Sequence, residues 1–176
     1  MSTQFYAQSE KDRWETPRWL TETIDALVPG GITTDPCAGP GTSIGREYNF
    51  TIEDDGLSQL WPGVVFCNPP FSQKSDWLEK AVDQYRSGVS SLVFVLTPDS
   101  TDTKSWWHEY IAGTADYVWF SRGRINFVNP DKPDGGSGAT FGTAISIYGN
   151  CPENLLRWFS EEGHLVRSVT VESSDN

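Results

Sequence analysis

A stretch that could bind a planar amine lies at residues 66–73, FCNPPFSQ, directly after an apolar run with strand character. Each proline fixes its own φ, holds the residue before it in extended geometry and donates no backbone hydrogen bond. Pro69 and Pro70 therefore make a stiff pair of carbonyl acceptors, and Asn68 adds a side-chain acceptor at the strand end. Phe71 supplies a flat apolar face for stacking. Acceptors beside a ring suit the exocyclic amino group of a base taken out of its stack.

The reaction that this stretch could support is methyl transfer to the amino nitrogen. The nitrogen lone pair is delocalised into the ring, so the amine is a poor nucleophile without help. Two acceptors bias the nitrogen toward tetrahedral geometry and stabilise the positive charge that develops as it attacks a sulfonium methyl group. Alignment of amine, methyl carbon and sulfur in one line supplies most of the remaining acceleration. The alternative is a simple turn that ends a strand, for which Asn-Pro is common.

A glycine-containing loop, DPCAGPGTSIG at residues 35–45, follows a predicted strand. Gly39 and Gly41 lie where a backbone must approach a ligand closely. Pro40 does not fit the dinucleotide fingerprint, in which the N-terminus of a helix cradles a pyrophosphate. The loop therefore favours a nucleoside cofactor without phosphate groups, and S-adenosyl-L-methionine is the cofactor that we expect.

Two acidic residues follow this loop at a spacing typical of ribose recognition. Asp54 and Asp55 lie 19 and 20 residues after Asp35. This is near the separation at which a carboxylate accepts hydrogen bonds from ribose hydroxyls in nucleoside-binding sheets. Either residue could bind the cofactor, and an exposed acidic loop without a ligand is the alternative.

The elements around these loops alternate between strand and helix, which predicts an α/β fold. Helices are predicted over residues 17–28, 75–88, 102–112 and 153–163, and strands over residues 31–35, 50–54, 64–68, 91–96, 116–121, 124–128, 143–149 and 165–172. Thr16 is predicted to cap the first helix, with Pro17 as its first residue. We expect one domain over residues 1–176, with a mostly parallel sheet whose C-terminal strands are antiparallel. Ligands bind such sheets at the carboxyl ends of the strands, where the unusual loops begin.

The chain is strongly acidic, with 24 Asp and Glu against 13 Lys and Arg and a net charge of −11. Such a surface keeps a protein soluble where salt screens charge, so a halophilic origin is our hypothesis and an ordinary acidic protein is the alternative. The charge repels a phosphate backbone, so nucleic-acid binding would need a local basic patch. No apolar run is long enough to span a membrane, and we expect a cytoplasmic protein without membrane association. Three cysteines and two histidines match no metal pattern, and we expect no metal.

Together the motifs resemble a known family. WETP (14–17), DPCAGPG (35–41), EDDGLSQLW (53–61) and FCNPPFS (66–72), followed by SRGRINFVNP (121–130) and TFG (140–142), are similar to motifs of the phage-type DNA N6-adenine methyltransferases, the Dam-like viral group. The similarity covers roughly residues 12–147. It implies a Rossmann-like class I methyltransferase that depends on S-adenosyl-L-methionine and acts on adenine in DNA.

The resemblance also assigns roles to individual residues. Asn68, Pro69 and Phe71 match the target-amine motif, Thr16 and Pro17 match an upstream cofactor contact, and Asp35, Cys37, Ala38, Gly39 and Gly41 match the cofactor loop. The segment of residues 42–67 is short for this family. We therefore expect one strand-helix unit of the methyltransferase sheet to be missing or reduced, which leaves open whether Asp54 or Asp55 contacts the cofactor.

A local basic patch for DNA is predicted in the C-terminal half of the chain. Arg122, Arg124 and Lys132 lie next to a Gly-rich loop, and this predicted hairpin and loop are expected to engage the backbone and bases of a groove. Lys74, which follows a strand end, is expected to add a phosphate contact. Solvated basic side chains without a ligand are the alternative.

Two rival functions are open at this point. The first is methylation of another planar amine, such as cytosine in DNA, a base in RNA or a glutamine side chain. The second is a nucleic-acid-binding module that keeps the fold and has lost turnover. We expect no separate target-recognition domain, and a monomer or homodimer that acts on DNA without a fused nuclease.

Overall fold

A seven-stranded sheet forms the centre of the molecule in the computed structural model, which describes residues 14–129 and 141–169. The strands are β1 (Thr34–Asp35), β2 (Tyr48–Asn49), β3 (Gly63–Cys67), β4 (Ser90–Pro98), β5 (Tyr117–Ser121), β6 (Thr143–Gly149) and β7 (Gly163–Arg167). Their order across the sheet is β2-β1-β3-β4-β6-β5-β7. The predicted α/β class is confirmed.

The sheet is parallel on one side and antiparallel on the other. β1 pairs in parallel with β2 and β3, and β3 pairs in parallel with β4. β6 runs antiparallel to β4 and β5, and β7 runs antiparallel to β5. β5 therefore points in the same direction as β1 to β4, so the carboxyl ends of five strands lie at one edge of the sheet.

Helices cover both faces of the sheet. They are α1 (Arg18–Leu27), α2 (Lys74–Arg86) and α3 (Glu153–Glu162), with a 3₁₀ turn at Gly56–Ser58 and a π-helical turn at Trp107–Ile111. Phe66 and Phe94 pack with α1 and α3 on one face, whereas Val65 and Val93 pack with α2 on the other, as the alternation of side chains along a strand requires. In the described ranges no helix has the length and apolar character needed to cross a bilayer.

Residues 124–128, predicted as a strand, do not join the sheet. Val128 makes a single antiparallel bridge with Glu15, and the rest of the segment is irregular. Ile125 and Phe127 are buried, which explains the alternating pattern that resembled a strand. The predicted hairpin is wrong because β6 and β7 already occupy both edges of β5.

The strand predicted over residues 50–54 is also wrong, because the extended segment lies two residues earlier, at β2. The Asp54 carboxylate accepts hydrogen bonds from the Thr51 amide and hydroxyl, both at 2.8 Å, and these bonds close a turn. A short polar side chain that bonds nearby backbone competes in this way with sheet pairing. Between β2 and β3 the described chain forms only the 3₁₀ turn and no α-helix.

The helix predicted over residues 102–112 is reduced to the π-helical turn. Trp106 and Trp107 are both buried, and their rings meet edge to face with centroids 5.7 Å apart. The His108 amide donates to the Thr103 carbonyl at 3.2 Å, five residues earlier, whereas an α-helix bonds residues four apart. The chain is therefore wound more widely over this turn, with the Ala112 amide donating to the Trp107 carbonyl at 2.8 Å.

Substitution of Gly56 is expected to lower thermal stability, because the structure leaves no space for a side chain at this position. A Cβ atom would overlap the Pro36 carbonyl and lie 3.1 Å from Cη2 of Trp77. We expect Gly56→Ala to lower the thermal midpoint by roughly 5–10 °C, from about 2–3 kcal/mol of overpacking. Gly39→Ala is the control, since Gly39 has no positive φ and a Cβ there meets nothing closer than 3.4 Å. Equal losses in the two variants, measured by thermal denaturation, would contradict the steric account.

Candidate active site

An open cleft of about 940 Å³ lies at the carboxyl ends of β1 and β3. The chain leaves β1 toward β2 on one side of the sheet, and β3 leads to β4 on the other. These two strands therefore flank the point at which the strand order reverses, where ligand clefts form in open α/β sheets. Of the predicted site residues, Thr16, Asp35, Cys37, Ala38, Gly39, Gly41, Asp55, Asn68 and Pro70 line it.

Asp35 is a buried carboxyl group in the wall of this cleft. It ends β1, and its side chain is 3% exposed. Oδ1 accepts a hydrogen bond from the Cys37 amide at 3.0 Å. Burial raises the pKa of Asp35 to about 7, although the Cys37 amide acts in the opposite direction. A carboxylate held in this way is well suited to pair with a cationic group that enters the cleft.

The loop after β1 is held open by backbone hydrogen bonds and glycine geometry. The Phe50 amide donates to the Asp35 carbonyl at 2.9 Å, and the Ala38 amide donates to the Phe50 carbonyl at 2.8 Å. Gly41 has a φ of +79°, a conformation that favours glycine. Gly39 and Gly41 both line the cleft, so this part of its wall is bare backbone that a ligand can approach closely.

Thr16 lies in the cleft wall. The prediction that it caps α1 is wrong. Pro17 is the N-cap residue and Arg18 is the first residue of the helix, with no side-chain capping bond. The Thr16 hydroxyl is buried and has no hydrogen-bond partner among the described residues. The helix begins one residue later than predicted because Pro17 takes the extended conformation of the cap residue (φ −63°, ψ 138°). Pro17 is buried and does not line the cleft.

Asn68 is oriented by the segment that precedes α1. Its Nδ2 donates to the Trp14 carbonyl at 3.2 Å, so the other branch of the amide is the acceptor Oδ1. Pro69 and Pro70 are buried, and Pro70 lines the cleft while Pro69 does not. The Pro70 carbonyl accepts from the Gln73 amide at 2.9 Å, which closes the turn that leads into α2. Of the two proline carbonyls, that of Pro70 thus already has a partner.

Phe71 lies beside the cleft against two other aromatic rings. Its ring meets Phe141 edge to face with centroids 5.3 Å apart, and Phe127 in the same manner at 6.3 Å. Glu15 and Val128 exchange two backbone hydrogen bonds of 2.9 and 3.0 Å. The segment predicted as a DNA-binding hairpin therefore folds back and supports the turn of residues 68–71.

Asp54 and Asp55, the two candidates for ribose binding, have different environments in the structure. The Asp54 carboxylate bonds to Thr51, which lowers the pKa of Asp54. Asp54 does not line the cleft, whereas Asp55 does. Asp55 adopts a left-handed conformation (φ 50°), which among non-glycine residues is most common for Asp and Asn. The fold thus uses Asp54 to close a turn and presents Asp55 to the cleft.

A family model described as DNA N-6-adenine-methyltransferase (Dam) matches residues 4–159. The chain belongs to the Dam family. No curated protein matches the sequence significantly. The matched range includes the glycine loop and the Asn68 turn, which line the cleft, and the segment around Val128, which supports the turn.

Sequence reasoning missed several residues of this Dam-family cleft. Trp77 lines the cleft from α2, stacks on Trp61 with ring centroids 5.8 Å apart, and has an indole nitrogen without a partner among the described residues. Glu53 and Arg46 also line it. Trp77 followed the apolar pattern of a helix, and no signal in the sequence distinguished a cleft residue from a core residue.

Lys74, Arg122 and Arg124, which were predicted to contact DNA, do not line the cleft of this Dam-family chain. Arg122 and Arg124 are exposed and follow β5, at the same edge of the sheet as Asn68. The Arg122 guanidinium donates to the Glu161 carbonyl at 3.0 Å. Lys132 lies outside the described residues. Within residues 14–129 and 141–169, no group of His, Cys, Asp and Glu could hold a metal ion.

Proposed function

We propose that this chain is an S-adenosyl-L-methionine-dependent DNA methyltransferase that methylates the N6 amine of a flipped adenine. The observation that carries the proposal is the common cleft, in which the buried Asp35, the bare glycine loop and the Asn68 turn face one another. The sheet order supports a Rossmann-like class I methyltransferase fold that is shorter by one strand-helix unit. Membership of the Dam family supports adenine in DNA as the substrate.

The residues of the cleft fit the cofactor. A volume of about 940 Å³ is in the range of small-molecule sites. Asp35 offers a carboxylate for the cofactor's ammonium group, and Gly39 and Gly41 leave room for its amino-acid part. Asp55 is an acceptor for ribose hydroxyls, and the buried Thr16 hydroxyl lacks a partner that a ligand can supply. When bound, S-adenosyl-L-methionine supplies an electrophilic methyl group.

The Asn68 turn binds and activates the substrate amine. Asn68 Oδ1 and the Pro69 carbonyl are the two acceptors that we assign to the amino hydrogens, because the Pro70 carbonyl already accepts from Gln73. They stabilise positive charge on the nitrogen as it forms a bond to carbon. Phe71 stacks on the base from a position fixed by its aromatic neighbours. No strong base is needed, because the alkylated amine loses its proton readily to solvent.

The test is a methylation assay of the purified chain on duplex DNA, RNA and a protein mixture, followed by nuclease digestion and identification of the modified base. We expect N6-methyladenine in DNA, formed much more slowly by Asn68→Ala. N4-methylcytosine, or product only in RNA or protein, would assign the site to another planar amine. Cofactor binding by calorimetry without any product would favour a non-catalytic module.

Asp55, not Asp54, is expected to contact the ribose. We expect Asp55→Asn to weaken cofactor binding roughly tenfold, because a hydrogen bond to a charged group contributes about 1.5–3 kcal/mol. Asparagine tolerates the left-handed backbone of this position, so folding is preserved. Asp54→Asn is the matched control and should leave cofactor affinity nearly unchanged in calorimetry. A larger loss in the Asp54 variant would reverse the assignment.

DNA contacts by Arg122, Arg124 and Lys132 stay predictions, as does a monomer or homodimer without a separate recognition domain, whereas the Lys74 ammonium contacts Phe71 and Trp106 within the chain. The net charge of −11 supports binding in a high-salt environment, where screening weakens repulsion between the acidic surface and phosphates. A halophilic origin is therefore part of the proposal, and a viral origin is proposed from the resemblance to the phage-type group. Highest activity at low salt would contradict the halophilic part, and a chromosomal gene without viral neighbours would contradict the viral part.

A further inference from the structure

We propose that Lys74 is a positioning residue for methyl transfer, which holds the Asn68 turn in its productive shape and does not bind a DNA phosphate. This inference rests on the proposed function. Lys74 is the first residue of α2, and its Nζ donates to the Phe71 carbonyl at 2.8 Å. The same ammonium lies 5.3 Å from the ring centroid of Trp106.

These two contacts join the turn after β3 to the loop after β4. Trp106 is 5% exposed and packs against Trp107, so the ring that faces the ammonium is itself fixed by the core. Next to this contact the Ser75 hydroxyl donates to the Ser105 carbonyl at 3.3 Å. The ammonium of Lys74 therefore connects the substrate turn to a rigid part of the neighbouring loop.

The electrostatics of the helix favour this interpretation. A cation in the first turn of a helix lies at the positive end of the macrodipole, which is unfavourable by itself. The carbonyl of Phe71 and the face of Trp106 offset this, because each presents negative charge to the ammonium. A DNA phosphate would compete with these two partners for the same ammonium.

The held carbonyl belongs to the one residue of the turn whose backbone is not restricted by proline. Pro69 and Pro70 have a fixed φ, and the Pro70 carbonyl is bonded to the Gln73 amide. The orientation of the Phe71 peptide depends on Lys74 instead. Rotation of this peptide would displace the Phe71 ring, to which the proposed function assigns stacking on the base, and a displacement of about 1 Å can lower a rate 100-fold.

The test compares Lys74→Met, Lys74→Arg and the control Lys80→Met, which removes the same charge further along α2. We expect Lys74→Met to lower kcat about tenfold, with unchanged cofactor affinity, DNA affinity and salt dependence of DNA binding. Lys74→Arg keeps a cationic donor and should retain most of the activity. Amide hydrogen exchange in residues 71–76 should be about tenfold faster in Lys74→Met and near normal in Lys74→Arg.

Two results would overturn the inference. One is wild-type kcat in Lys74→Met. The other is a loss confined to DNA affinity, with the slope of log affinity against log salt reduced by about 0.9, which is the signature of one phosphate contact. If the wild-type chain methylates no DNA, the proposed function fails, and the exchange experiment alone decides whether Lys74 holds the turn.

Discussion

Replacement of Asn68 by alanine is expected to lower the rate of methyl transfer to DNA by about 10²- to 10³-fold. The side chain supplies one of two preorganised acceptors for the charge that develops on the amine, and loss of one such partner has an effect of this size in other enzymes. Cofactor affinity should change less than twofold, because Asp35 and the glycine loop are untouched. Single-turnover rates and calorimetry measure the two quantities separately.

Asn154→Ala is the matched control for this variant. The Asn154 amide donates to the Leu27 carbonyl at 3.2 Å, the same distance as the Asn68 bond to Trp14, but it lies outside the cleft lining. We expect both variants to lose similar amounts of thermal stability and only Asn68→Ala to lose activity. Equal activity in the two would show that Asn68 does not act on the substrate.

Asp35→Asn is expected to weaken cofactor binding roughly 100-fold at pH 8. Asparagine keeps the size of the side chain and an acceptor for the Cys37 amide, so the variant removes the charge and little else. A charge-assisted hydrogen bond contributes about 1.5–3 kcal/mol, and 1.4 kcal/mol corresponds to a factor of ten. Calorimetric titration with S-adenosyl-L-methionine measures the loss. An affinity within threefold of the wild type would exclude ion pairing by Asp35.

The pH dependence of cofactor binding should carry the signature of Asp35. Its pKa is about 7 in the free protein, and binding of a cation requires the ionised form. Wild-type affinity should therefore fall by up to tenfold per pH unit below pH 7, while Asp35→Asn shows no such slope. His108 and His164 are exposed and outside the cleft lining, so the difference between the two proteins isolates Asp35.

Stability without cofactor should show the opposite trend. The pKa of Asp35 is raised from 3.8 to about 7 by burial, so between these values the folded state binds a proton that the unfolded state has lost. The free energy of unfolding contributed by this group therefore decreases as pH rises from about 4 to about 7. Asp35→Asn should lack this decrease, and thermal midpoints of both proteins across this range provide the comparison.

Local chemistry in the sequence was sufficient to predict where the two loops of the candidate site lie. The prolines after Asn68 restrict the backbone and the glycines after Asp35 make it more flexible, and neither effect depends on the rest of the fold. Both loops lie at strand ends, as expected. Helix α2 was predicted over residues 75–88 and is observed at Lys74–Arg86, because an amphipathic stripe and a glycine stop are properties of the segment itself. The short spacing between Gly41 and Asn68 was compared with the usual methyltransferase sheet, and the expected reduction of a strand-helix unit came from that comparison.

Tertiary structure decided what the residues between these loops do. Ile125 and Phe127 alternate as in a strand, yet no strand forms, because both edges of β5 are already paired. The neighbours Asp54 and Asp55 are equivalent in the sequence, and only the turn closed on Thr51 directs one of them into the cleft. Packing against Trp106 gives Lys74 a partner that no local pattern predicts. Backbone restraints are encoded residue by residue, whereas pairing and burial depend on which surfaces remain available once the sheet has formed.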